Sequence, residues 1–167
     1  MEQQLLIVDD EENMRHMLSA FLRKHNYQTD MAANGLDALK RIRGHLYDVV
    51  LCDIRMPEMD GMTFLKKMTE EQLEVATVIM MSAYGTIDDA IEAMKMGAYD
   101  YLSKPFEMDE LLLTVNKAMR AYQFGDATVA GNLLRGAASR LEATIRFWTR
   151  RKAGSSGLGV SWNGMGR

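Results

Sequence analysis

Five short apolar runs, each followed by a stretch whose apolar residues recur at three- and four-residue spacing, constrain this chain more than any single residue does. The runs are Leu5 to Val8, a weaker Gln28 to Ala32, Val49 to Cys52, Thr77 to Met81 and Tyr99 to Leu102. The amphipathic stretches predict helices over Asn13 to His25, Leu36 to Arg43, Met62 to Glu70, Ile87 to Met96 and Asp109 to Ala121. A strand covered on both faces loses the alternation of a half-buried one, so continuous Val/Ile/Leu runs suit a parallel sheet between two layers of helices. The repeated strand-then-helix unit therefore predicts an α/β, doubly wound, five-stranded parallel sheet.

Local signals agree with that parse. Asn34 and Thr86 each precede a predicted helix, with Asp37 and Asp89 three residues later, both N-cap arrangements that set an acid near the positive helix end. Gly44, Gly97 and Gly125 stand where helices should stop. The repeating pattern ends near residue 122, where the charge balance also changes. Residues 1–122 carry 13 basic and 21 acidic side chains, whereas 123–167 carry 7 and 2. A chain of 167 residues has room for one ordinary domain and an appendage. Hydrophobic residues at 47% and charged residues at 26% are the balance of a globular protein. No apolar run approaches the roughly 20 residues of a membrane span, and the start MEQQLLIVDD is too acidic for a signal peptide, so the expected location is cytoplasmic. The single cysteine, Cys52, lies inside an apolar run and is expected to be a small buried side chain. Fifteen methionines are many, and Met80, Met81, Met94, Met96 and Met119 fall on predicted core faces where adaptable packing explains them.

Ligands of an open parallel sheet bind outside the carboxyl ends of the strands. That edge gathers Asp9 and Asp10 after the first strand, Asp53 after the third, Ser82 after the fourth, and Ser103, Lys104 and Pro105 after the fifth. Each has an ordinary explanation alone: acids before a helix complement its dipole, Asp53 and Ser82 suit caps or turns, and Lys104 suits a solvated surface. Together they do not, because three converging carboxylates repel one another and need a cation. An all-oxygen donor set with spare water positions describes Mg²⁺. Carboxylates holding Mg²⁺ beside a lysine and a hydroxyl meet the demands of phosphoryl transfer, with Asp53 as a nucleophile that forms an aspartyl phosphate.

The motifs IVDDEENMR (Ile7 to Arg15), VVLCDIRMPEMDGM (Val49 to Met62), MSAYG (Met81 to Gly85) and GAYDYLSKPF (Gly97 to Phe106) occur in order. By these, residues 1–122 resemble the receiver domain of two-component response regulators. The segment from Ser82 to Phe106 looks most like receivers of the nitrogen-regulation, sigma-54 enhancer-binding activator class. The resemblance implies the flavodoxin-like receiver fold, with strand order 2-1-3-4-5. It implies that Asp53 accepts a phosphoryl group from a sensor histidine kinase, and that Asp10 and Asp53 ligate Mg²⁺ directly. Asp9 would act through a water and the Arg55 carbonyl would complete the set. Lys104 would pair with the phosphoryl group across a cis Lys104–Pro105 bond. Ser82 would turn its hydroxyl to the phosphoryl group, and Tyr101 would follow inward, making the surface around the fourth helix, fifth strand and fifth helix the output face. Arg55 and Tyr84, each two residues past a reacting side chain, are expected to overhang the acyl phosphate and slow its hydrolysis. Met56 and Met59, in the loop after Asp53, would cover the site.

After Gln123 the resemblance ends, and neither a phosphate-cradling GxxxxGK[ST] loop nor a helix-turn-helix follows. Residues 123–152 read as a basic amphipathic helical extension, with Leu133, Leu134, Leu141, Ile145 and Trp148 on one stripe. Residues 153–167 read as a flexible Gly/Ser-rich tail. The extension is open to three readings: a helix for homodimer formation or docking, a basic surface for nucleic acid without any motif for sequence readout, or a truncated or out-of-frame remnant of a longer activator. Two further function classes remain beside the phosphorylated switch. A Mg²⁺-dependent phosphohydrolase would need an Asp-x-Asp pair after its nucleophilic strand, which CDIRMP lacks. A DNA-binding regulator would act through the basic tail, with salt-dependent binding to duplex DNA.

Overall fold

The computed structural model describes residues 2–73 and 77–123. Along the chain it forms β1 (Gln3–Val8), α1 (Glu12–Lys24), β2 (Tyr27–Ala32), α2 (Gly35–Gly44), β3 (Val49–Asp53), α3 (Gly61–Glu70), β4 (Thr77–Ser82), α4 (Ile87–Lys95), β5 (Asp100–Ser103) and α5 (Met108–Gln123). All neighbouring strands are parallel, in the order β2-β1-β3-β4-β5. The five runs and five amphipathic stretches thus give the expected sheet and helices. α5 begins one residue earlier and runs two residues longer than its apolar periodicity, since helix ends follow capping and backbone geometry more than hydrophobic spacing. The basic extension, the terminal tail and Gly125 lie outside the described residues.

Alternation along the central strands sorts their side chains into two cores. Leu6, Val8, Val50, Cys52, Val78, Met80 and Tyr101 face α2, α3 and α4, and pack with Ile42, Phe64, Leu65 and Met94. Leu5, Ile7, Val49, Leu51, Ile79, Met81 and Leu102 face α1 and α5, and pack with Leu18, Leu22, Leu111 and Val115. Both faces are covered, which is why β3 reads as five buried residues without polar alternation. Each buried Leu or Ile contributes about 1.5–3 kcal/mol of transfer free energy, so the sheet is a stiff platform for whatever its edge presents. β2, at the rim, is buried only at Tyr27, Thr29 and Ala32, which accounts for its weak signal in the sequence.

Helix boundaries obey the local chemistry. Asn34 accepts from the Asp37 amide to cap α2, and Thr86 forms a reciprocal capping box with Asp89 at α4. Asp60 caps α3 through the Thr63 amide. α2 ends on Gly44, and Gly97 follows α4 with φ 102°, the left-handed conformation that stops a helix. Met80, Met81, Met94 and Met119 are buried and Met96 packs against the first core, as their positions predict. Among the described residues, no helix is long and apolar enough to cross a membrane.

Candidate functional site

Strand register determines which side chains meet. Val8 pairs with Cys52, so Asp9 and Asp53, each the next residue along, leave the sheet side by side. This is the point where β1 lies between β2 and β3 and the connections diverge to opposite faces, the crevice in which open α/β sheets bind ligands. β4 pairs Ser82 with Ser103, bringing Ser82 and the following Lys104 to the same edge. The Lys104 amide donates to the Ser82 carbonyl at 2.8 Å, and the Lys104–Pro105 peptide is cis, as the resemblance implies.

Asp9, Asp10 and Asp53 each offer a carboxylate oxygen, and the three lie within 4.8 Å of one another. Asp9 is fully buried and Asp53 nearly so, while Asp10 is exposed. The Asp9 side chain is held twice: Oδ1 accepts from the Glu11 amide at 2.9 Å and Oδ2 from Lys104 Nζ at 2.6 Å. Lys104 also stands 3.7 Å from Asp53 Oδ2, so one ammonium spans two of the three acids. It does not balance them. Burial, reinforced by Asp9 and Asp10 and opposed by Lys104, pushes the Asp53 carboxyl up to about 6. Burial is the main cause of that rise, with the neighbouring acids adding to it, and hard oxygen donors in this arrangement suit a divalent cation such as Mg²⁺. Cys52, beside Asp53 in the strand, is fully buried and its thiol is pushed well up by burial, so it packs and does not react.

Two glycines let the surrounding backbone close in. A Cβ on Gly61 would strike the Asp53 carbonyl and stand 2.9 Å from the Ile54 Cα, and the Gly61 amide donates to the Ile54 carbonyl at 2.7 Å. The RMPEMDG loop is thereby folded back against the end of β3. Gly85 has no side chain where the Tyr101 hydroxyl comes to rest: a Cβ there would overlap the Tyr101 Oη. Tyr101 is only 2% exposed, turned inward under the β4–α4 loop, and its hydroxyl reaches Ser82. Ser82 is itself buried, its Oγ accepting from the Tyr84 amide at 3.3 Å.

Arg55 and Tyr84 meet over this edge, with the guanidinium carbon 6.0 Å from the ring centroid and the ring 77% exposed. Asp10, Ile54, Arg55, Met56 and Asp89 line the adjoining cleft of about 550 Å³. Met56 is among its walls, whereas Met59 turns into the core against Gly35. The structure thus brings Asp9, Asp10, Asp53 and Lys104 together, sets Ser82 on the same edge and Arg55 against Tyr84, and turns Met59 away from them. Arg15 was present in the first motif without a role: its Nη1 donates to the carbonyls of Asp9 at 2.7 Å and Asp10 at 3.1 Å. Gly85 likewise lies within MSAYG without any sign of the contact it permits. Neither leaves a periodicity or charge signal.

Residues 5–116 match the model of the response regulator receiver domain family. The regulatory protein AtoC of Escherichia coli (strain K12) is 47% identical over 116 residues, which are 70% of this chain and 25% of that protein. Sporulation initiation phosphotransferase F of Bacillus subtilis (strain 168) is 41% identical over 117 residues, 70% of this chain and 94% of that protein. Among solved structures, the beryllofluoride-activated NtrC4 receiver domain dimer matches with a TM-score of 0.67 at 36% identity, covering 73% of this chain and 99% of that one. The chain spans about a quarter of the length of the curated transcriptional regulators it matches.

Proposed function

Because this chain belongs to the response regulator receiver domain family, we propose that it is a switch in which Asp53 accepts a phosphoryl group from a sensor histidine kinase in a Mg²⁺-dependent reaction. The observation that carries the reading is the gathering of three carboxylate oxygens within 4.8 Å at the β1/β3 edge, with Lys104 reaching two of them. An Asp53 carboxylate oxygen attacks the phosphorus of a phosphohistidine. The P–O bond forms as the P–N bond breaks, and the imidazole leaves with a proton from solvent. Asp9, Asp10, Asp53 and the Arg55 carbonyl would hold Mg²⁺, which when bound neutralises charge on the phosphoryl oxygens. Lys104 is free to exchange part of its contact with Asp9 for the new phosphoryl oxygens.

The added phosphoryl group brings nearly two negative charges and three acceptor oxygens to the mouth of the cleft. It favours any arrangement in which the Ser82 hydroxyl and Lys104 approach it. Tyr101, packed against Ser82 and beneath Gly85, couples that approach to the surface formed by α4, β5 and α5. The Arg55–Tyr84 contact over the entrance obstructs water and prolongs the acyl phosphate. The homologous NtrC4 receiver is a dimer in its activated form, which supports association through a second copy of this chain as the output. A transcriptional output would follow the regulatory proteins it resembles.

Incubation with acetyl phosphate and Mg²⁺ tests the reading. The expected result is one phosphoryl group gained by mass, lost in Asp53→Asn and in excess chelator. Sustained turnover of added phosphate esters would replace the switch with a phosphohydrolase, and salt-dependent binding to duplex DNA would favour direct action through the basic tail.

A further inference from the structure

Arg15 takes no part in that chemistry, yet it grips the main chain of both acids that follow β1. Its guanidinium reaches back over the first turn of α1, and Nη1 donates to the Asp9 carbonyl at 2.7 Å and the Asp10 carbonyl at 3.1 Å. Those carbonyls lie past the last registered pairs of β1, Val8 with Ala32 and Val8 with Cys52. Asp9 has other anchors, since both of its carboxylate oxygens are engaged by the Glu11 amide and by Lys104. Asp10 has fewer. It is exposed, and among the described residues no hydrogen bond holds its carboxylate oxygens, so its direction is governed by the backbone beneath it.

We propose that Arg15 is a positioning residue for the divalent-cation site, fixing the Asp9–Asp10 backbone so that the Asp10 carboxylate is already turned toward Asp53 before the ion arrives. The inference rests on the reading of the acidic cluster as a Mg²⁺ site. Two effects of Arg15 oppose each other, and their signs differ. As a positive charge near a cation it weakens binding, while as a clamp on a flexible ligand it strengthens binding by removing conformational freedom before the ion binds. A partly buried guanidinium whose Nη1 alone donates to two consecutive carbonyls is arranged for the second effect, because a charge alone requires no such contacts. A purely structural role would alter the melting temperature and leave the ion's affinity alone.

The full chain is compared with Arg15→Ala, Arg15→Gln and Arg15→Lys. Mg²⁺ is titrated calorimetrically, thermal melting is followed without the ion, and the initial rate of phosphorylation by acetyl phosphate is measured across Mg²⁺ concentrations. The expected result is Mg²⁺ affinity about tenfold weaker in Arg15→Ala and Arg15→Gln, with the rate at saturating Mg²⁺ within about twofold of the parent. Arg15→Lys, which keeps the charge on a side chain that ends short of the Nη1 position, is expected about threefold weaker and carries the test if the other variants do not fold. Mg²⁺ affinity equal to or tighter than the parent in the folded variants overturns the proposal, whatever their melting temperatures. A parent chain that neither binds Mg²⁺ nor takes up a phosphoryl group overturns the functional reading and this inference with it. A parent that does both beside an unaltered Arg15→Lys and Arg15→Gln overturns this inference alone.

Discussion

Asp53 carries a burden that its neighbours create. Burial with Asp9 and Asp10 close by raises its carboxyl to about 6, against a partial counterweight from Lys104. A carboxyl whose folded-state pKa lies above its unfolded value binds protons more tightly in the folded state. The metal-free chain should therefore gain stability from this group as pH falls from about 7 through 6 toward the unfolded value near 4, and lose it as pH rises. After discounting for the solvent that still reaches the cleft, relieving the charge is worth about 1–2 kcal/mol. Asp53→Asn should melt roughly 3–6 °C higher than the parent in chelator at neutral pH, with a flatter dependence between pH 4 and 7. Calorimetric melting across that range checks it, and an Asn variant that melts lower would mean Asp53 is already compensated. Tyr84 bears on a rate instead. Tyr84→Ala should shorten the acyl-phosphate lifetime several-fold by removing the partner that holds Arg55 over the entrance, as measured by the decay of phosphoprotein in excess chelator. At this scale, chemistry announced itself in sequence wherever an ionisable side chain followed an apolar run, as at Asp9, Asp53 and Lys104. Arg15 stayed silent because an arginine in the first turn of a helix has the same spacing whether it faces water or reaches back to the loop.

The β4–α4 connection is where a local backbone choice governs an element's response. The Thr86–Asp89 capping box pins the start of α4, and Ser82 ends β4, so the three residues between them bend over Tyr101. Only glycine at 85 leaves room for the phenol oxygen. Gly85→Ala should displace the ring or the loop, because a buried aromatic is less easily compressed than moved, at a cost of about 1–3 kcal/mol. The ring should then spend less time inward, and phosphorylation should perturb the α4–β5–α5 surface less than in the parent. Fluorine-labelled tyrosine spectra resolve this: a Tyr101 resonance unchanged by the substitution would show that the loop yields instead, and the coupling through Gly85 would be lost as an explanation. Element types were readable because helix caps such as Asn34 and Thr86 and the uninterrupted run Val49 to Cys52 are local signals. The pairing of Tyr101 with Gly85 was not, since it joins β5 to a loop after β4 and depends on which way one ring points.

The two cores, among the described residues, draw on side chains from Leu5 to Met119. The α1 and α5 helices seal one face, and Thr77 Oγ1 donates to the Ala118 carbonyl, tying the buried start of β4 to the last turns of α5. Tyr27 donates to Asn116, joining the outer strand to the same helix. Among the described residues, α5 buries Leu111, Val115, Ala118 and Met119 against the sheet, so a chain ending at Gln123 should fold as it stands. It should melt within about 2–3 °C of the full chain, since both cores are retained and a change at the end of α5 costs less than about 1 kcal/mol. It should also take up a phosphoryl group at the same Mg²⁺-dependent rate, because Asp9, Asp10, Asp53 and Lys104 are all positioned by the sheet edge. Calorimetry and mass measurement on the shortened chain check both expectations. A much lower melting temperature would mean the basic extension packs on the domain. An unchanged domain that no longer associates when phosphorylated would assign association to the extension, since the change in charge balance at residue 122 would then divide a phosphorylated switch from the surface it controls.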